Sequence, residues 1–166
     1  MNIHRLFDDG SFVEKELDFF LKKKHIKKIP ENSPLVISFL EKAKHNMAFY
    51  KENKEKSSYN DWLIVILYYA LYHCALALIT KKQYASKNHY ATILILVKEY
   101  NISSAEAQLI DELSINKTDA ELYTNLKDDR HDASYSTSIR FSDKKVLDYE
   151  SQVIDFINKT DQLLMD

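Results

Sequence analysis

Glycine and proline are scarce in this chain. It has one glycine, Gly10, and two prolines, Pro30 and Pro34, in 166 residues. The tight turns that close β-hairpins depend on glycine and similar turn residues, so this scarcity argues against a sheet built from hairpins. Lys, Glu, Leu, Ile and Ala are abundant instead. The sequence therefore predicts an all-α chain, an up-and-down helical bundle of about five to six helices with no strand.

Cysteine is nearly absent as well. Cys74 is alone, so no disulfide can form within the chain, and it lies in an apolar run where a free thiol behaves as a small hydrophobe. This usage favours a reducing compartment. Residues 1–9 hold neither an uninterrupted apolar stretch nor a small-residue cleavage site, unlike a secretory signal. We expect a cytoplasmic protein.

Neither sign of charge is in large excess. The 23 basic and 25 acidic residues leave a net charge of -2, so the field of the whole molecule does not attract a polyanion. Any nucleic-acid contact must therefore be local. Lysines do cluster at positions 22, 23, 24, 27 and 28. This run could follow a line of phosphates, and a solvated helix end is the alternative.

The spacing of apolar and capping residues predicts six helices. They are expected over about 11–26, 32–56, 62–79, 86–100 and 103–133, with a last helix after Ser142. Asn32 or Ser33 is expected to cap the second helix, and Ser103 or Ser104 the fifth.

The predicted third helix contains no charged side chain over residues 62–79. Such a run is nearly long enough to span a bilayer. His73 would then lie near the bilayer centre beside Tyr68, Tyr69 and Tyr72, whose hydroxyls need partners. We therefore expect this helix at the centre of a soluble bundle, with no membrane as partner.

Several familiar sites are missing from the sequence. One glycine cannot build a phosphate-binding loop, one cysteine cannot form a zinc-binding pair, and no His-Glu-x-x-His occurs. The six histidines are scattered along the chain. We expect no metal and no cofactor.

One segment stands out for its chemistry. Arg130 and His131 are adjacent, and Tyr135 follows a little over one helical turn later. A fixed cation, a group that titrates near neutral pH and a phenol suit phosphodiester cleavage without metal. Arg130 could hold the phosphate while His131 exchanges protons with the attacking or leaving oxygen. In the alternative reading, Arg130 only pairs with nearby acids such as Asp128 or Asp129.

Three segments together resemble a known family. Residues 68–78 read YYALYHCALAL, residues 86–89 read SKNH, and residues 130–135 read RHDASY. In this order they resemble the prokaryotic HEPN domains with a YYAxxHAA helix, an SKxH segment and an R-polar-x-A-x-Y segment. The resemblance covers about residues 41–166, a HEPN-like bundle, with residues 1–40 as an added N-terminal helix.

The resemblance implies a homodimer that acts on RNA or nucleotides. Many HEPN domains are metal-independent endoribonuclease toxins of toxin-antitoxin or defence systems, and many are encoded beside a minimal nucleotidyltransferase. Carried over, Arg130 is the motif arginine and His131 its polar follower. The family's downstream histidine is missing, and Tyr135 stands at a permitted spacing. A non-catalytic module that binds a nucleotide, RNA or a nucleotidyltransferase is the alternative function, and a purely structural bundle is a third.

Further ligand- or phosphate-binding candidates lie in the same three segments: Tyr69, Tyr72, His73, Lys87, His89, Asp132 and Ser134. The candidates in the first two segments also have a purely structural explanation. The tyrosines and His73 could be core residues with satisfied polar atoms. Lys87 and His89 could bind a phosphate at a helix N-terminus or belong to a solvent-facing first turn.

Overall fold

A computed structural model describes residue 3 and residues 5–55, 59–114 and 141–165 of the chain. Within these residues seven helices and two short strands follow one another: α1 (Arg5–Asp8), α2 (Gly10–Lys22), β1 (Ile26–Lys28), α3 (Ser33–Asn53), α4 (Asn60–Lys81), β2 (Tyr84–Ser86), α5 (His89–Tyr100), α6 (104–114) and α7 (Asp143–Met165). The predicted all-α bundle is confirmed. The boundary predicted at residue 40 falls inside α3.

Most of the helices begin at side chains that accept hydrogen bonds from the first turn. Asn32 caps α3 by accepting from the Leu35 amide at 3.0 Å. At the start of α6, Ser103 and Glu106 form a capping box, in which each side chain accepts from the other residue's amide. Such caps are local in sequence, so both starts agree with the prediction.

Helix α4 lies at the centre of the bundle. It packs against α3 and α7, with α5 along another side. Its length and apolar composition would allow it to cross a membrane, but 72% of its most apolar window is buried inside the protein. A membrane-spanning helix would present that surface to lipid. The burial agrees with the predicted central helix of a bundle.

The core is made by the apolar faces of the helices that surround α4. On α7 the buried side chains are Val146, Tyr149, Glu150, Val153, Phe156, Ile157 and Thr160. On α2, Val13 and Leu17 are buried while Phe19 is 50% exposed. Each fully buried aliphatic side chain contributes about 1.5–3 kcal/mol of transfer free energy.

The expectation of no strand was wrong, because β1 and β2 form an antiparallel two-stranded ribbon. Lys27 pairs with Ala85, and Lys28 with Tyr84. Helix α2 ends at Lys22, before the predicted end at residue 26, whereas α4 runs slightly past its predicted end to Lys81. Each helix is followed by a residue in the left-handed conformation, Lys24 (φ 60°) and Gln83 (φ 61°). Glycine usually occupies this position, so its absence concealed the end of α2.

Candidate functional site

Five aromatic and imidazole side chains of α4 and α5 form one connected group, here called the tyrosine–histidine cluster: Tyr68, Tyr69, Tyr72, His73 and His89. The rings of Tyr68 and Tyr72 stack with centroids 5.4 Å apart, and His89 stacks on Tyr72 at 5.5 Å. Tyr69 contacts Tyr68 at 5.1 Å and His73 at 6.1 Å. Two motifs that lie apart in the sequence therefore meet in the fold.

His89 is held inside this cluster by one hydrogen bond. Its Nε2 lies 3.1 Å from the carbonyl oxygen of Ile110 on α6. A carbonyl only accepts, so Nε2 carries the proton and Nδ1 is left as an acceptor. Nδ1 is buried and has no hydrogen-bond partner within the described residues. Burial lowers the pKa of His89, and the Ile110 hydrogen bond opposes that effect. The ring is therefore neutral at pH 7.

His73 lies on the other side of the cluster, half-buried. Its Nδ1 donates to the carbonyl oxygen of Tyr69, one turn earlier on α4, and the Asn46 side-chain amide of α3 lies 3.5 Å from the same nitrogen. Burial lowers the pKa of His73, and the nearby charge of Lys42 lowers it further. His73 is thus a neutral imidazole at pH 7, whose Nε2 can accept a proton.

The His73 ring borders an open surface depression of about 520 Å³ between α3 and α4. The depression is lined by Ser38, Phe39, Glu41, Lys42, His45 and His73. Phe39 contacts the His73 ring at 6.2 Å. The opening therefore combines an aromatic ring and two imidazoles with one lysine and one carboxylate.

The four residues of the SKNH segment have different structural roles. Ser86 shapes the turn, since its hydroxyl donates to the Asn88 carbonyl at 2.8 Å. Asn88 caps α5 by accepting from the Ala91 amide at 2.9 Å. His89 points inward, whereas Lys87 is exposed and borders the ribbon, where its amide donates to the His25 carbonyl at 3.4 Å. Lys87 therefore does not share the environment of His89.

Not all predicted site residues can be placed. Tyr69 is 36% exposed, and Tyr72 is half-buried. The exposure of both tyrosines is intermediate between that of a core residue and that of a residue in an open site, the two predicted alternatives. The other predicted site residues lie outside the described ranges: Arg130, His131, Asp132, Ser134 and Tyr135.

Three contributors were missed as site residues by the sequence reasoning. Tyr68 is the centre of the ring contacts, although it stood in the quoted motif beside Tyr69. Lys42 and His45 are three residues apart on α3, which places them on one face of that helix. This spacing was a usable signal, but only the packing of α3 on α4 shows that His73 faces the same opening.

No three histidine, cysteine, aspartate or glutamate side chains converge into a metal site within the described ranges. The chain matches no protein-family model, no curated protein and no solved structure at a significant level.

Proposed function

We propose that this chain is a HEPN-like protein that acts on RNA as a homodimer. Arg130 and His131 of both copies would face a shared groove, with Tyr135 beside them. One observation carries the proposal: the YYALYHCALAL and SKNH segments, which resemble two HEPN motifs, meet through the stacking of His89 on Tyr72 at 5.5 Å.

The proposed reaction is cleavage of the RNA backbone without metal. The ribose 2′-hydroxyl attacks the adjacent phosphorus, and the bond from phosphorus to the 5′-oxygen breaks. Arg130 neutralises the charge that develops on the phosphoryl oxygens. His131 of one copy takes the proton of the 2′-hydroxyl, and the protonated His131 of the other copy gives one to the leaving 5′-oxygen, so that a 2′,3′-cyclic phosphate and a 5′-hydroxyl are formed. Tyr135 supplies a hydrogen bond rather than a base, because a phenol with a pKa near 10 stays protonated at pH 7.

Cleavage of labelled RNA by the purified protein in the presence of EDTA tests this proposal. DNA of the same sequence is the matched substrate control, since it lacks the 2′-hydroxyl. We expect cleavage of RNA alone and a loss of about 100-fold or more in Arg130→Ala. Equal activity of the wild type and Arg130→Ala would refute the catalytic assignment. Light scattering of the same preparation should give the mass of a dimer.

The second candidate is a non-catalytic module that docks a minimal nucleotidyltransferase. Exposed aromatic side chains on α4 favour it: Trp62 is 48% exposed, and Tyr69, two turns later on the same side, is 36% exposed. Exposed aromatics of this kind are enriched in protein interfaces. Co-expression with a nucleotidyltransferase encoded beside this gene tests the candidate. It requires a stable complex that Trp62→Ala weakens and no RNA cleavage by either protein.

A further inference from the structure

Two segments of the chain carry positive charge and no negative charge. Residues 19–30 and 62–98 contain no aspartate or glutamate, and together they hold nine of the 23 basic residues. All 25 acidic residues lie elsewhere. The net charge of -2 therefore conceals a strong local asymmetry. In the sequence these two segments are separate, and nothing in their spacing says that they meet.

The β1–β2 ribbon brings the two segments side by side. Ile26 pairs with Ser86, so the antiparallel register places His25 opposite Lys87. Lys27 lies two residues from His25 on the same side of its strand, because side chains alternate along a strand. All three side chains are exposed, while Ile26 and Tyr84 are buried beneath them. Diagonal neighbours on such a ribbon are about 7–8 Å apart.

Within the part of the chain that the structure describes, no carboxylate forms an ion pair with the lysines around the ribbon. The ion pairs of the described residues use Lys44, Lys54 and Lys159, none of which lies here. Three lysines in or beside the ribbon lie over aromatic rings: Lys23 over Phe19, Lys28 over Tyr84 and Lys82 over Tyr100. A lysine over an aromatic ring keeps its full charge. Glu99 borders the patch, where it accepts a hydrogen bond from the Tyr84 hydroxyl at 3.2 Å.

We propose that this basic ribbon binds the phosphate backbone of RNA. It comprises Lys22, Lys23, Lys24, His25, Lys27, Lys28, Lys82 and Lys87. Clustered lysines bind phosphates through charge and the release of counterions, without reading the sequence. Half-exposed Phe19 offers a face on which a base can stack. The choice of RNA among nucleic acids rests on the proposed function, whereas the convergence of the lysines does not.

An anionic membrane is the less favoured partner. Peripheral membrane binding combines basic residues with an apolar face that enters the lipid boundary. In the ribbon, the apolar side chains Ile26 and Tyr84 point into the protein, at 1% and 6% exposure. The outward side is cationic, so it suits a solvated phosphate backbone.

Fluorescence anisotropy with a labelled, unstructured RNA tests the proposal, at several salt concentrations from about 50 to 200 mM. The test variant is Lys27→Gln with Lys87→Gln, one residue from each strand segment. The matched control is Lys51→Gln with Lys144→Gln, two exposed lysines on α3 and α7 with the same loss of charge. Circular dichroism melting of both variants checks that the fold is retained.

We expect the ribbon variant to bind RNA roughly tenfold more weakly and to flatten the slope of log K against log salt by about 1.4. The control should stay within about twofold of the wild type. Equal weakening of both variants, or no RNA binding by the wild type, would overturn the proposal. Binding to vesicles that contain phosphatidylserine would also overturn the proposal, if that binding depends on Lys27 and Lys87 and the chain does not bind RNA.

Failure of the cleavage proposal is distinguishable from failure of this one. If no RNA is cut but the ribbon variant still loses binding, the ribbon proposal stands and the catalytic assignment fails. If RNA is cut and the ribbon variant binds like the control variant, the ribbon proposal alone fails.

Discussion

At the scale of single residues, His89 shows most clearly how environment changes chemistry. In the sequence it is one histidine of six, followed by a helical pattern. In the fold it donates through Nε2 to Ile110, stacks on Tyr72 and keeps a buried acceptor at Nδ1. Protonation of Nδ1 would place a positive charge in this enclosed position. Neutral His89 is therefore part of the stable fold.

The pH dependence of stability follows from this burial. Because burial lowers the pKa of His89 below its ordinary 6.5, the unfolded chain binds a proton that the folded chain does not. We expect the free energy of unfolding to fall as the pH drops through about 6.5 towards the lowered value. Urea titrations between about pH 5 and pH 7.5 measure this slope.

His89→Gln should flatten that slope, because glutamine does not titrate in this range and its amide can still donate to Ile110. The pKa of His73 is lowered as well, and His73 is less enclosed than His89. His73→Gln should therefore flatten the slope less. An unchanged slope in His89→Gln would contradict the burial argument.

At the scale of elements, α3 and α7 are joined by a polar link inside the core. Glu150 of α7 is 9% exposed and accepts from the Tyr50 hydroxyl at 3.2 Å and from Lys54 Nζ at 3.0 Å. Burial and the negative charge of Glu150 hold the pKa of Tyr50 well above its usual range. Tyr50 lies in the last turn of α3 and Lys54 is the residue that follows the helix, so both partners of the carboxylate lie at the same end of α3. The link therefore sets the register between the two helices.

Tyr50→Phe removes one hydrogen bond to this charged group while keeping the ring. We expect a loss of about 1.5–3 kcal/mol in the free energy of unfolding, measured by urea titration. Tyr59→Phe is the matched control, since Tyr59 is 55% exposed, and it should change stability by less than about 0.5 kcal/mol. Equal losses in both variants would show that the link contributes nothing specific.

The ribbon is the element that sequence reasoning missed. The pattern of α2 ran on through the lysines to residue 26, because no glycine marked the end of the helix. The structure ends the helix at Lys22 and turns the chain with Lys24 in the left-handed conformation, a position that costs a non-glycine residue about 1–2 kcal/mol. The turn allows β1 to pair with β2, which follows α4 in the chain. This pairing joins residues that are far apart in the sequence, so no local pattern predicts it.

At the scale of the whole molecule, α4 packs against α3, α5 and α7 and lies at the centre of the bundle. Cys74 lies on α4 with no exposed surface, and burial raises the pKa of its thiol to about 12. Thiols react with disulfide reagents as thiolates, so reaction needs both exposure and deprotonation. Exposing Cys74 requires the helices around α4 to separate.

We therefore expect the native thiol to react with Ellman's reagent at least 1,000-fold more slowly than the unfolded chain, on the order of the unfolding equilibrium. The chain unfolded in guanidinium gives the reference rate. Low concentrations of urea should raise the logarithm of the native reaction rate linearly. The slope should match the m-value of global unfolding, which scales with the surface that unfolding exposes. Labelling within tenfold of the unfolded rate would contradict a closed core.

The sequence by itself determined that the chain is helical and where α3 and α6 begin, because caps such as Asn32 and the pair Ser103–Glu106 act within one turn. It also determined that α4 is buried, because a helix without charged side chains is stabilised when the apolar faces of the amphipathic helices around it cover its surface. Only the tertiary structure decided that His89 stacks on Tyr72, that His73 faces Lys42, and that two lysine segments meet across the ribbon. Those contacts join residues far apart in the chain, and their geometry depends on how whole helices pack rather than on any local preference.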